Sequence, residues 1–378
     1  MFTGGFHARQ VEFKTSDGVL AALDEIARTE DLHLSPNGKR LAIAGLARDR
    51  LLILDIEVKM SGKDRVILAR DHLQISSPHL NHPHGVCWAD DSRLIAANRD
   101  GDVGLFAVPK RRPVSRRVVL NPVTEITAKD FSGLSTPGSV SVHRRGKGMA
   151  EVLLCNNYIH TISQHRLHLG KQPRFDRHKT LLAGGFDVPD GVSHAPSGKL
   201  FAVSDHNNKA VNIFSSTKKL HLGSKPMATL GGISYPHGVR FSRDTRYLFV
   251  ADAGEPFVHI FQRGGNIWRN QKGPAASLHV MSTEEYLGDH ENMEEGGPKG
   301  VLLWEKHGLL AVTCSSRPLA FFDVASVLKA KGKLPASMRR SGIAPPPPVQ
   351  VAPPPAEPQP VTIAPPPGLW QRLRQLFA

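Results

Sequence analysis

The chain has 378 residues, with 48 lysines and arginines against 34 aspartates and glutamates, and a formal charge of +14. Apolar residues make up 40%, enough for a substantial core, and charged residues only 22%, too few for a chain disordered throughout. No run of about 18 apolar residues offers a transmembrane span, and Cys87, Cys155 and Cys314 lie far apart without a CxxC pair, which argues against a disulfide framework or a cysteine-ligated zinc site. No charged stretch followed by an apolar run opens the sequence, so no secretory signal is expected, and a reducing cytoplasm is the expected compartment.

In chain order, Gln10-Val11-Glu12-Phe13-Lys14 reads as a lone strand. From residue 31 a unit recurs. Its clearest copies open with Pro83-His84-Gly85-Val86, Pro189-Asp190-Gly191-Val192, Pro236-His237-Gly238-Val239 and Pro298-Lys299-Gly300-Val301. Weaker copies open at Asp31-Leu32-His33 and at Pro137-Gly138-Ser139-Val140. The residue before the first glycine, or its counterpart, falls at 31, 84, about 137, 190, 237 and 299. Each copy reads as a short strand, a polar turn, a β-branched strand such as Leu248-Phe249-Val250-Ala251, and a third alternating strand. An outer strand follows, at residues 66–68, 117–120, 179–182, 227–230 and 277–280. Four-stranded units repeating about every 53 residues predict an all-β fold, a six-bladed β-propeller.

The sixth copy has three strands, after which Ala325-Ser326-Val327-Leu328-Lys329 is not strand-like. The N-terminal strand at residues 10–14 supplies the missing outer strand, closing the last blade and removing an exposed edge. The Pro-His-Gly-Val and Pro-Asp-Gly-Val openings, followed by Leu-Phe-Val-Ala-Asp, resemble NHL-repeat and related six-bladed propellers, including the senescence-marker-protein/gluconolactonase-like superfamily. The resemblance covers residues 10–324 and implies a fold more firmly than an activity.

In such propellers the turn leading into the innermost strand lies at the mouth of the central channel. Asp31, His84, Asp190, His237 and Lys299 are therefore the expected ligand-binding ring. Carboxylate and neutral imidazole are ligands for calcium, zinc or manganese, so one divalent cation is the expected cofactor and no nucleotide cofactor is. The gluconolactonase-like resemblance implies a metal held by an acid opening the first blade, an Asn from a middle blade and an Asp opening a later one. Here those are Asp31, Asn156 and Asp190, and His237 joins them as a ring imidazole. The histidine-bearing openings also resemble zinc-dependent lyases that cleave peptidyl-hydroxyglycine. Against this stands a plain turn role, with Pro presetting φ, Gly permitting positive φ and Asp205 and Asp252 capping turns. No GxSxG elbow, HExxH motif or phosphate cradle occurs.

Residues 343–368 hold 12 of the 29 prolines, in runs that fix φ and lack N–H donors, and predict a semi-rigid polyproline spacer. Lys329, Lys331, Lys333, Arg339 and Arg340 precede it. Leu369, Leu373, Leu376 and Phe377 follow at helical spacing, with Arg372 and Arg374 on the other side. The predicted organisation is a propeller over 1–328, a basic then proline-rich linker over 329–368, and a short amphipathic segment over 369–378. That segment is expected to dock on a protein partner, with peripheral membrane contact as the other use of such an end. Two basic clusters, Arg111-Arg112 with Arg116-Arg117 and His143-Arg144-Arg145 with Lys147, offer contacts to phosphate. Four Trp and four Tyr leave few stacking platforms, so nucleic acid is not the expected partner. Two functions remain open. One is a scaffold propeller binding a small molecule or peptide in its channel and a partner through its tail. The other is a metal-dependent hydrolase (lactonase- or esterase-like) or lyase acting at the channel.

Overall fold

The computed structural model describes residues 6–330 except 147, 217, 218, 291 and 293, together with Leu334. Of the linker and amphipathic segment expected over 329–378, all but residues 329, 330 and Leu334 lie outside the described residues. None of the described helices is long and apolar enough to cross a membrane.

Six sheets, each built on antiparallel neighbours in sequence, follow one another along the described chain. Their innermost strands are Thr29–Leu34, Pro83–Trp88, Pro137–Arg144, Pro189–His194, Pro236–Phe241 and Val301–Trp304. Each pairs outward with a second strand: Arg40–Gly45, Arg93–Asn98, Met149–Asn156, Leu200–Asp205, Tyr247–Asp252 and Leu309–Val312. Neighbouring innermost strands touch in cyclic order, and Val301–Trp304 returns to Thr29–Leu34. The fold is a six-bladed β-propeller.

Alternation of side chains makes this arrangement cohere. Each strand sends one set of residues to the preceding blade and the other to the following blade. The buried apolar residues fall into six layers, one per blade interface. The layer between blades 6 and 1 joins Leu32, Leu41 and Ile43 to Leu302, Trp304 and Phe321, as continuous as the other five.

Closure runs through the N-terminal segment, which straps three blades. Phe6–His7 pairs in parallel with Ala276–His279 of blade 5. Gln10 then bridges Phe322 of blade 6, with the Val11 amide donating to the Phe321 carbonyl at 2.8 Å and the Asp323 amide donating to the Arg9 carbonyl at 2.9 Å. The last blade thus gains its outer edge from residues 9–11. The rest of the expected strand, Glu12–Thr15, moves on to pair in parallel with Asp64–Ser76 of blade 1.

Two local features differ from the sequence reading. Residues 117–119 do not complete blade 2. They pair in parallel with blade 1, and Thr124–Ile126 is the outer strand of blade 2. This happens because blade 1 ends in an overlong hairpin, Arg50–Ser61 with Asp64–Ser76, whose outer edge holds two guests in succession. The other feature is a helix, Asp17–Ile26, capped by Ser16 and burying Val19, Ala22, Leu23 and Ile26 against blade 1. Residues 325–329 form a short helix, in keeping with their non-strand pattern.

Candidate metal centre at the axial mouth

Five blades share one backbone hydrogen bond at the mouth. The amide after the second strand donates to a carbonyl two residues before the mouth position: Leu46 to Arg28, Arg99 to His82, Asn157 to Thr136, His206 to Val188 and Ala253 to Tyr235. This bond sets the register. The mouth positions are therefore Glu30, His84, Gly138, Asp190 and His237, with Lys299 in blade 6, and the first is Glu30 rather than Asp31. The residue after the second strand forms a second tier, to which blades 2, 3 and 4 contribute Arg99, Asn157 and His206. His82, Thr136 and Val188, which position that tier, all have positive φ without being glycine. Such strain persists only where surrounding structure imposes it.

The glycines of the openings are not there for positive φ. A Cβ on Gly191 would lie 2.2 Å from the His237 carbonyl oxygen, and one on Gly238 would lie 2.6 Å from that of Lys299. They let adjacent innermost strands approach. Blades 1 and 3 carry Asp31 and Ser139 at this position, and each accepts from the next blade. Asp31 Oδ2 takes the Val86 amide at 3.1 Å, and Ser139 Oγ takes the Val192 amide at 3.1 Å.

At the centre, Glu30 Oε2 lies 3.5 Å from His84 Nε2 and 3.4 Å from His237 Nε2. Asp190 faces the same pair, with Oδ2 3.1 Å from His237 Nε2 and Oδ1 3.9 Å from His84 Nε2. All four are buried. His84 Nδ1 contacts the Gly138 carbonyl, which can only accept, so the proton sits on Nδ1 and Nε2 presents a lone pair to the centre. Arg99 donates to that lone pair at 2.8 Å. Asn157 Nδ2 donates to Asp190 Oδ1 at 2.6 Å, and Gly138 leaves the room: a Cβ there would overlap the Asn157 side chain. Beside this group Lys299 Nζ pairs with Glu295 Oε2 at 2.6 Å, and His206 Nε2 lies 3.5 Å from Glu295 Oε1.

The electrostatics divide the two imidazoles. Burial, reinforced by Arg99, drives His84 down to about 3, so it is neutral. Burial also opposes charge on His237, but Asp190 and Glu30 offset it and its pKa stands above the ordinary value. Burial would raise Glu30, yet Lys299, His84, His237 and Arg28 hold it well below the usual carboxylate range. Asp190 is depressed likewise, with His237, His84 and Arg99 outweighing its burial. Burial lowers His206, leaving a neutral ring whose Nδ1 has no hydrogen-bond partner among the described residues.

Of the residues expected from sequence, His84, Asp190, His237 and Lys299 meet at the mouth. Asp31 does not. Its carboxylate is taken up by the Val86 and Leu32 amides and by Arg240, 3.1 Å away. Asn156 is turned aside too, donating to Ser163 Oγ and accepting from the Ser135 amide. Its neighbour Asn157 reaches the centre instead. Asp205 and Asp252 cap turns, Asp252 accepting from the amides of Ser234, Tyr235 and Gly254. Glu30, Arg99, Asn157, His206 and Glu295 were not visible as site residues from the repeat alone.

No known family profile matches the sequence, and no curated protein does. Among solved structures, the chain is similar to regucalcin from Agrobacterium tumefaciens, described as a calcium-binding protein. The two are 14% identical, with a TM-score of 0.51, over 86% of this chain and 96% of that one. The likeness is one of fold. It matches the six-bladed type that the repeat openings resemble.

Proposed function

We propose that the protein is a ligand-binding propeller whose axial mouth holds one divalent cation through Glu30, His84, His237 and Asp190. The observation that carries this is Glu30 Oε2. It is buried, has no hydrogen bond of ordinary geometry among the described residues, and faces two imidazole nitrogens at 3.4 and 3.5 Å. Ligand atoms about 2.0–2.1 Å from a tetrahedral cation stand about 3.3 Å apart, close to these separations. His84 Nε2 and Glu30 Oε2 aim a lone pair and a carboxylate oxygen at one point, and the raised pKa of His237 marks the proton that a cation there would displace. Two imidazoles suit zinc or manganese better than calcium, which takes oxygen ligands. Arg99, within 3.5 Å of Asp190 Oδ1, keeps an acceptor when His84 Nε2 takes the cation.

The cation would present a small-molecule ligand to the channel mouth. His206 favours a second reading, metal-assisted hydrolysis of an ester or lactone, because a buried neutral imidazole whose Nδ1 lies 3.9 Å from Asp190 Oδ2 and has no hydrogen bond among the described residues is suited to take a proton from water. The amphipathic end carrying Leu369, Leu373, Leu376 and Phe377 serves in this reading as a docking element on its proline-rich tether. If deleting residues 341–378 changes neither partner capture nor sedimentation with anionic vesicles, docking is rejected.

Elemental analysis tests the central reading. The purified chain, reconstituted with zinc or manganese and desalted, is expected to keep about one equivalent, and the double variant H84A/H237A none. Retention by that variant, or none by the parent, rejects the site.

A further inference from the structure

Of the two basic clusters in the sequence, three of the four arginines of the one in blade 2 are spent internally. Arg112 pairs with Asp55, Arg116 with Asp71 at 2.6 Å, and Arg117 with Glu25 at 2.7 Å. The cluster in blade 3 leads elsewhere. Arg145 borders a cleft of about 570 Å³ on the flank of that blade, lined also by Glu151, Gln164, Arg166, Arg177 and Lys179. A second lobe of about 240 Å³ shares Glu151, Gln164 and Lys179, adds Lys219, and is floored by Leu181, Phe201 and Leu220.

The charges in this cleft are not balanced. Glu151, the one acid among the described residues lining it, is occupied by Arg145 at 2.7 Å and His194 at 3.1 Å. Asp176 lies 3.8 Å from Arg166 and is shared with His168 at 2.8 Å. Arg177, Lys179 and Lys219 have no carboxylate within 4 Å among the described residues. Charges left unpaired around a concave surface focus a positive field into it.

Arg177 adds a separate observation. The pairing of Thr161–His168 with Arg174–Ala183 slips between Gln164 and Arg166, so that one extra residue on the second strand forms a bulge. Arg177 lies in it with φ of 52°, a conformation that favours glycine. A bulge re-aims a side chain, and here it turns a guanidinium into the cleft at a backbone position where glycine would be relaxed.

We infer that this flank cleft is a second binding site, for a small ligand bearing two or more phosphate groups. Arginine offers a planar fork for phosphate oxygens and lysine a compact charge, and a volume of this order suits a small molecule. The chain's own tail is a poor occupant, since residues 329–378 carry seven basic residues and one acid.

The test is calorimetric titration of the full chain with inorganic triphosphate at two salt concentrations, beside sedimentation with vesicles containing phosphatidylinositol bisphosphate. Saturable one-to-one binding that weakens with salt, and falls at least about tenfold in R177Q/K179Q but not in R112Q, supports a site for free polyphosphate. Vesicle binding lost in R177Q/K179Q, without binding of free triphosphate, assigns the same chemistry to a lipid headgroup. R177G is a second check, because glycine relaxes the backbone while removing the charge. It should melt no lower than the parent and still bind more weakly. Binding unchanged in R177Q/K179Q places the anion elsewhere on this basic chain, the tail included, and overturns the inference. So does an absence of binding to both probes.

Discussion

Replacing Asp31 by alanine separates the two candidate acids of blade 1. In the structure Asp31 is a brace between blades: its carboxylate takes the Val86 amide of blade 2 and the Arg240 guanidinium of blade 5. Removing one partner of a buried ion pair costs about 3–5 kcal/mol, and the small exposure of both side chains, 10% and 14%, places this pair near the lower end. The Val86 amide is orphaned as well, a further cost of about 1–3 kcal/mol that overlaps with the first. A net loss of about 3–5 kcal/mol is expected. With an unfolding entropy of about 2.1 cal/mol/K per residue over roughly 320 residues, that corresponds to a melting temperature lower by about 4–7 °C. D31N, which keeps an acceptor for the amide, should lose less. Differential scanning calorimetry of the metal-free protein measures the loss, and elemental analysis of the reconstituted variant should still find about one metal. E30Q should instead weaken metal binding at least about tenfold. Should D31A melt with the parent and lose its metal, Asp31 is the ligand and the register derived from the mouth hydrogen bonds is wrong.

Three further outcomes follow from the same structure. V11P removes the amide that donates to the Phe321 carbonyl. It should cost about 2–3 kcal/mol and raise hydrogen exchange first along Ala320–Asp323 and Val66–Ala69, and unchanged exchange there would count against the strap. Burial would raise Glu151, but His194 and Arg145 hold it down at about 2, below its ordinary 4.5. The stability it contributes is complete above about pH 4.5 and is lost as pH falls toward 2, so E151Q should flatten the stability curve in that window, and parallel curves would refute the pairing. Burial pushes Cys87 to about 12 and Cys314 to about 11, and raises Cys155 well above its ordinary value. No thiol should react with a disulfide reagent at pH 8 until the chain is denatured, and a fast native reaction would contradict the buried placement.

The blade pattern was readable because each copy repeats a strand alternation and a Pro-x-Gly opening that packing requires. What the repeat concealed was register in its weak copies. Asp31 is acidic and opens the first copy, yet a one-residue slip in a strand exchanges its two faces. A better anchor was present. The hairpin turn Pro36-Asn37-Gly38-Lys39 matches Pro196-Ser197-Gly198-Lys199, and aligning the two places Asp190 on Glu30, not on Asp31. The same slip exchanged Asn157 for Asn156. The second tier could not be read from residue types, since Arg99, Asn157 and His206 share only a position after the second strand. The helix Asp17–Ile26 did carry its own signal, a Ser16 cap and apolar residues at 19, 22, 23 and 26. The guest strand at Arg117–Val119 carried none, because parallel addition to another blade depends on the length of a hairpin far away in sequence.

X-ray absorption at the metal edge of the zinc-loaded full chain reads the ligand set at the axial mouth. The expected shell has two imidazole nitrogens and carboxylate oxygen at about 2.0–2.1 Å, without sulfur, and it loses its imidazole scattering in H84A/H237A. An all-oxygen shell, or an imidazole signature unchanged in that variant, would contradict it.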